Sequence, residues 1–175
     1  MQTTTVNLTS VGFKEWKTYL MASLFIAGNV VLPQLCHLVP QGGLHWLPIY
    51  FFTLIGAYRY GWRVGLLTAV ASPLVNSALF GMPAVEVLPA IMLKSVLLAL
   101  CASLMARRTG AATVLSLLAV VVAYQSLGTI GEWIIGASWT TALQDVRIGL
   151  PGLAVQVFGG WAVLNWAAVK KHFGR

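Results

Sequence analysis

The chain has 175 residues and a mass of 18.8 kDa; 58% of the residues are hydrophobic, 9% are charged, and the mean hydropathy is +0.82. A soluble domain covers its surface with roughly 25% charged side chains, so these proportions exclude an ordinary water-facing globule, a disordered polyelectrolyte and a multidomain chain. The formal net charge of +7 does not indicate nucleic acid, because the eleven Lys and Arg are scattered in pairs between apolar runs, as membrane topology signals are.

About 20 apolar residues carry a helix across the hydrocarbon layer, fewer where its ends are buried among neighbours. On that basis the chain reads as one domain, 1–175, an all-α integral membrane protein with six transmembrane helices in one bundle. Residues 1–17 form a polar, Thr-rich cytoplasmic segment ending in Lys14 and Lys17, and the first span, 18–38, reads as a retained helix rather than a cleaved signal. On this span Ser23 and Ala27 lie four apart with Gly28 adjacent, a small-residue stripe suited to close packing within the bundle or against another subunit. Cys36 and Cys101 fall in different spans at different depths, which disfavours a disulfide. His37 and His45 flank a Pro-Gly-Gly turn without a clear third ligand, so no metal is expected.

The second span, 46–60, opens at Trp46-Leu47-Pro48, and the third, 63–81, carries Ala69, Ser72 and Asn76 at i, i+3, i+7 with Pro73 inside it. The proline removes one backbone hydrogen bond, a place for a kink around a ligand. The fourth, 86–106, sets Glu86, Ala90 and Lys94 at i, i+4, i+8, and the fifth, 111–135, sets Gln125, Thr129 and Glu132 on one face. A long loop, 136–149, holds Asp145 and Arg147, where a solvated pair is the plain reading. The sixth, 150–169, places Gly152, Gln156, Gly159 and Gly160 on roughly one face and ends in a basic tail, 170–175.

Alternating the connections puts Lys14, Lys17, Arg59, Arg63, Arg107, Arg108, Lys170, Lys171 and Arg175 on one side, nine of the eleven basic residues. The positive-inside rule then predicts both termini in the cytoplasm. Glu86, Glu132 and Asp145 fall on the opposite side with Lys94 and Arg147, the two bases that break the rule. Ionisable groups at membrane depth usually face a bundle interior or a water-filled cavity, so five of them in one leaflet predict a pocket open to the outside.

Lys94 lies eight residues beyond Glu86, roughly 12 Å deeper at 1.5 Å per residue. A lysine there costs about 2.5–3.5 kcal/mol on insertion scales. It needs a partner, and Glu132, the headgroup region or a bound ligand would each serve. Trp16, Tyr58, Tyr60, Trp62 and Trp166 read as the cytoplasmic interfacial belt. Trp46, Tyr50, Trp133 and Trp139 lie on the outer side with the charges, as belt anchors or as platforms for a planar ligand. No P-loop, zincin, nucleophile elbow or dinucleotide fingerprint occurs. Neither catalytic residues nor a cofactor is expected, and active transport would require a separate motor.

The stretch from Leu47 to Arg108 carries Leu47-Pro48-Ile49-Tyr50, then Gly56-Ala57-Tyr58-Arg59-Tyr60-Gly61-Trp62-Arg63-Val64-Gly65, then Ser72-Pro73-Leu74, and Phe80-Gly81-Met82-Pro83. This ordered set resembles the substrate-binding S components of energy-coupling factor (ECF) transporters, which match in length and helix number. The resemblance implies a multi-pass protein of a bacterial or archaeal cell membrane that captures a vitamin-like molecule from outside. It also implies docking, within the lipid bilayer, on a transmembrane coupling subunit driven by two ATPase subunits. Asn76, Glu86, Lys94, Gln125, Glu132, Trp133, Trp139, Asp145 and Arg147 are the expected substrate contacts. The family's docking surface is similar to an Ala-x-x-x-Ala pattern on helix 1, for which Ser23 and Ala27 are the nearest match here. The metal-specific branch places a His near a free N-terminus, and Met1-Gln2-Thr3 departs from that pattern. An alternative from another class is a membrane scaffold similar to the rod-shape protein MreD, which would need no buried charge cluster.

Overall fold

The computed structural model describes residues 12–166, and these are organised as helices. The N-terminal part of the predicted cytoplasmic segment and the basic tail, with Lys170, Lys171 and Arg175, lie outside the described residues. Four helices are long and apolar enough to cross a membrane: α1 (Trp16–Cys36), α4 (Trp62–Phe80), α5 (Leu88–Thr109) and α6 (Val114–Ile134). They coincide within a few residues with the predicted first, third, fourth and fifth spans, because long apolar runs bounded by turn residues carry the strongest local signal.

The predicted second span is broken. A short helix α2 (Gly42–Trp46) ends at Leu47, whose left-handed backbone (φ 46°) turns the chain into a 3-10 turn, Pro48–Tyr50, before α3 (Phe51–Tyr60) begins. Pro48 has no N–H to continue a helix across this point. The regular helix is therefore only 10 residues long. The predicted loop 136–149 contains two single-turn helices, α7 (Trp139–Ala142) and α8 (Gln144–Arg147). The predicted sixth span is α9 (Leu150–Ala154), a π-helical turn (Val155–Gly159) and α10 (Gly160–Leu164).

Helix ends follow local chemistry. Gly81 and Gly110 adopt left-handed backbone (φ 66° and 64°) directly after α4 and α5, returning their N–H groups to Ser77 and Ala106 carbonyls. The reciprocal bonds between Thr113 and Ser116, 3.0 and 3.1 Å, form a capping box that starts α6.

The short α3 is the centre of the bundle, packed against α1, α4 and α5, and every residue from Thr53 to Tyr58 is buried. Gly28 on α1 faces the Phe52 ring and Gly56 on α3 faces the Phe25 ring, each at distances that leave no room for a Cβ. This reciprocal ring-into-glycine packing brings the two helices close. Tyr58, expected at the membrane interface, is instead fully buried. Its hydroxyl donates to the Ala111 carbonyl (2.7 Å) and contacts the Thr109 and Ser116 hydroxyls, tying α3 to the α5–α6 turn. Asn165 does the same from the last helix, donating to the Ala112 carbonyl at 2.9 Å.

These contacts gather one end of the bundle, which carries Arg59, Arg63, Arg107 and Arg108; there the Arg63 guanidinium also lies over the Phe13 and Trp62 rings. The opposite end holds α2, the 3-10 turn, the α4–α5 turn and the loop with α7 and α8. It holds Glu86, Glu132 and Asp145 and is the acidic end of the bundle.

Candidate functional site

Two constructions occupy the acidic end. The first is an ion cluster. Lys94, only 2% exposed, projects from α5 along α6, and its Nζ lies 2.9 Å from Glu132 Oε2 and 2.8 Å from Asp145 Oδ2. Gly128 makes this path possible: a Cβ there would stand 2.6 Å from Lys94 Cγ, so the missing side chain on α6 is the space through which the lysine stem runs. At the next residue, the Thr129 hydroxyl donates to the Ala142 carbonyl at 3.2 Å. Both contacts hold the loop bearing α7 and α8 against the helices. Trp133 at the end of α6 and Trp139 in α7 stack at 5.4 Å with 17° between their planes, half-exposed on the outside of the same junction.

Beneath the cluster lies a buried hydrogen-bonded row. Gln125 Nε2 donates to the Tyr124 hydroxyl (3.0 Å), which donates to Gln156 Oε1 (2.8 Å) in the π-helical turn. Tyr50 packs on Tyr124 with ring centroids 5.8 Å apart.

Glu86 and Asp145 both depart from the places their sequence positions predict. Glu86 does not share a helical face with Lys94: it lies in the turn preceding α5, which starts at Leu88 with Pro89 in its first turn, and it is exposed. Asp145 does not form a solvated pair with Arg147. Their positions in the single-turn α8 point them differently, Asp145 inward to Lys94 and Arg147 outward into an exposed position.

The second construction is a cleft of about 400 Å³, within the range of small-molecule sites. It opens between the end of α1, α2, the 3-10 turn and the α4–α5 turn. Pro33, Pro48 and Asn76 form its buried floor; Ile49, Pro83 and Ile91 its walls; and His37, Gln41, Leu44, Met82 and Val87 its exposed rim. Among the described residues, no Asp, Glu, Lys or Arg side chain lines it. The 3-10 turn separates the two constructions, with Pro48 and Ile49 facing the cleft and Tyr50 packed on the cluster's side against Tyr124.

Of the nine expected substrate contacts, Asn76 alone lines the cleft. Lys94, Glu132 and Asp145 bind one another, Gln125 belongs to the tyrosine row, Trp133 and Trp139 stack together, and Glu86 and Arg147 are exposed. Sequence reasoning missed Asn29, the hub of a buried network joining three helices. Its Nδ2 donates to the Thr53 and Ser72 hydroxyls (3.0 and 3.2 Å), and its Oδ1 accepts from the Phe52 N–H (3.2 Å). A polar residue four before Pro33 on an apolar helix was the available signal.

Ser23 and Ala27 are both exposed on α1, on a face shared with Leu20, Leu24, Val31 and Leu35. Both cysteines are free thiols, and no group of three or more His, Cys, Asp or Glu able to hold a metal occurs among the described residues. No protein-family model, curated protein or solved structure matches this chain.

Proposed function

We propose that this chain is the substrate-binding membrane subunit of an ECF-type uptake transporter, capturing a vitamin-like small molecule from outside the cell in the cleft at its acidic end. The observation that carries this reading is the cleft itself, a small-molecule-sized void at the end of the bundle opposite Arg59, Arg63, Arg107 and Arg108. By the positive-inside rule the arginine end faces the cytoplasm, so the cleft opens outward.

In this reading the bundle crosses a bacterial or archaeal cell membrane six times with both termini inside. The short α3 serves as a crossing because its outer continuation, Leu47 to Tyr50, is largely buried in protein, where irregular backbone is tolerated at membrane depth. The α9–π–α10 segment is the sixth crossing. The exposed face of α1 around Ser23 and Ala27 docks on the coupling subunit, which two ATPase subunits drive. The ion cluster is the fastening of the outer loop, and the ligand sits beside it rather than on it.

The test is a thermal-shift panel of water-soluble vitamins on the detergent-purified protein and on Ile91→Trp, which fills the cleft. A ligand at 100-fold its Kd stabilises the wild-type protein by about 2.7 kcal/mol, and Ile91→Trp abolishes the shift. A panel silent on the wild-type protein would instead favour the scaffold reading, which needs no ligand.

A further inference from the structure

The floor of the cleft determines what chemistry a ligand must present. Pro33 has no N–H, so the carbonyl of Asn29, four residues earlier on α1, has no helical partner. Asn76 supplies one from α4: its Nδ2 donates to the Asn29 carbonyl at 2.9 Å and to the Ser72 carbonyl at 3.0 Å. Both amide hydrogens are thereby committed to carbonyl oxygens. Turning the amide over would set Oδ1 against those two acceptors, so the hydrogen-bond pattern allows only one orientation.

Oδ1 is then the part of Asn76 able to meet a ligand. Its protein contact is Gln34 Nε2 at 3.5 Å, at the outer limit of a hydrogen bond and from a half-buried side chain beside Pro33. The other two floor residues, Pro33 and Pro48, carry neither a side-chain polar group nor an N–H, and the walls are apolar. The floor therefore offers one fixed acceptor in an apolar, uncharged setting.

We infer that the cleft takes an uncharged, largely apolar group bearing an N–H or O–H donor, read by Asn76 Oδ1. This rests on the cleft being the ligand site. A buried site built around a fixed acceptor rejects an isostere without the donor, because the acceptor then loses water and gains nothing in return.

Indole and benzofuran are a matched pair of probes, alike in shape and differing in the N–H. Titrated into the detergent-purified full chain by calorimetry, indole is expected to bind about 5–10-fold more tightly than benzofuran, the ratio of one net hydrogen bond. Ile91→Trp is expected to abolish both, and Gln34→Leu, which removes the competing donor, to keep or widen the preference. Equal affinity for the two probes, with both lost in Ile91→Trp, overturns the inference and leaves the cleft as the site. Binding of neither probe alongside a vitamin shift that Ile91→Trp removes also overturns the inference alone. Vitamin or probe binding that survives in Ile91→Trp overturns the cleft reading itself.

Discussion

Lys94 and Asn76 lie on neighbouring long helices near the same end of the bundle and are both almost wholly buried, yet they are held in opposite ways. Lys94 meets two carboxylates at 2.8 and 2.9 Å in a packed junction, with its stem filling the space left by Gly128. Asn76 is fixed by two backbone carbonyls and lies at the floor of an open cleft. The charged construction is sealed by its own partners, whereas at the floor of the cleft Asn76 Oδ1 has a long contact of 3.5 Å, from Gln34 Nε2. In a membrane bundle the costly charges are the residues most completely used up by each other, and a binding surface can be built from groups that cost little to bury.

Breaking the charged side of this comparison has the largest expected effect. Lys94→Met leaves Glu132 and Asp145 facing each other without their cation and is expected to destabilise the protein by about 3–5 kcal/mol, measured by denaturant unfolding in detergent. Replacing all three, Lys94→Met with Glu132→Leu and Asp145→Leu, should recover most of that loss, because a well-packed apolar substitute often equals a buried ion pair. A single Lys94→Met as stable as the wild type would show that the cluster fastens nothing.

Gly128→Ala comes next. Its new methyl group meets the lysine stem, and overpacking of this kind costs about 1–3 kcal/mol. The cost should largely disappear in a Lys94→Ala background, so a double-mutant cycle separates this contact from a general requirement for glycine in α6. Additive effects would contradict the path drawn for Lys94.

The smallest stability effect sharpens the comparison at the surface. Trp133→Ala or Trp139→Ala removes one stacked pair and should cost about 0.5–1.5 kcal/mol beyond the lost area. Ligand affinity should be unchanged in either variant, since neither indole lines the cleft. A large affinity loss would move the ligand to the charged junction.

The long helices were legible because apolar runs ending at Gly81-Met82-Pro83 and at Arg107 to Gly110 declare their limits locally. The need of Lys94 for a partner was legible too, with Glu132 among three candidates, since an unpaired lysine at that depth is costly wherever the chain goes. Its second partner was not: Asp145 reaches it through α8, a single turn within a stretch that carries little periodic signal. Glu86 misled because the i, i+4, i+8 spacing presumes a continuous helix, and Pro89 sets the start of α5 after it.

The cleft was the least legible feature. It is made of prolines, a glycine-bearing short helix, aliphatic walls and one asparagine drawn from six segments of the chain, and the prolines and aliphatic residues advertise no site. The link from Pro33 through the Asn29 carbonyl to Asn76 crosses 47 positions from Asn29, and it follows from the missing N–H of one proline only when the two helices are seen side by side.

Whether the cleft holds a ligand is tested most simply by native mass spectrometry of the detergent-purified protein, comparing wild type with Ile91→Trp. A retained small molecule of vitamin-like mass is expected on the wild-type chain and absent from Ile91→Trp. A bound mass present equally on both, or a bare chain in both together with a silent vitamin panel, would contradict it.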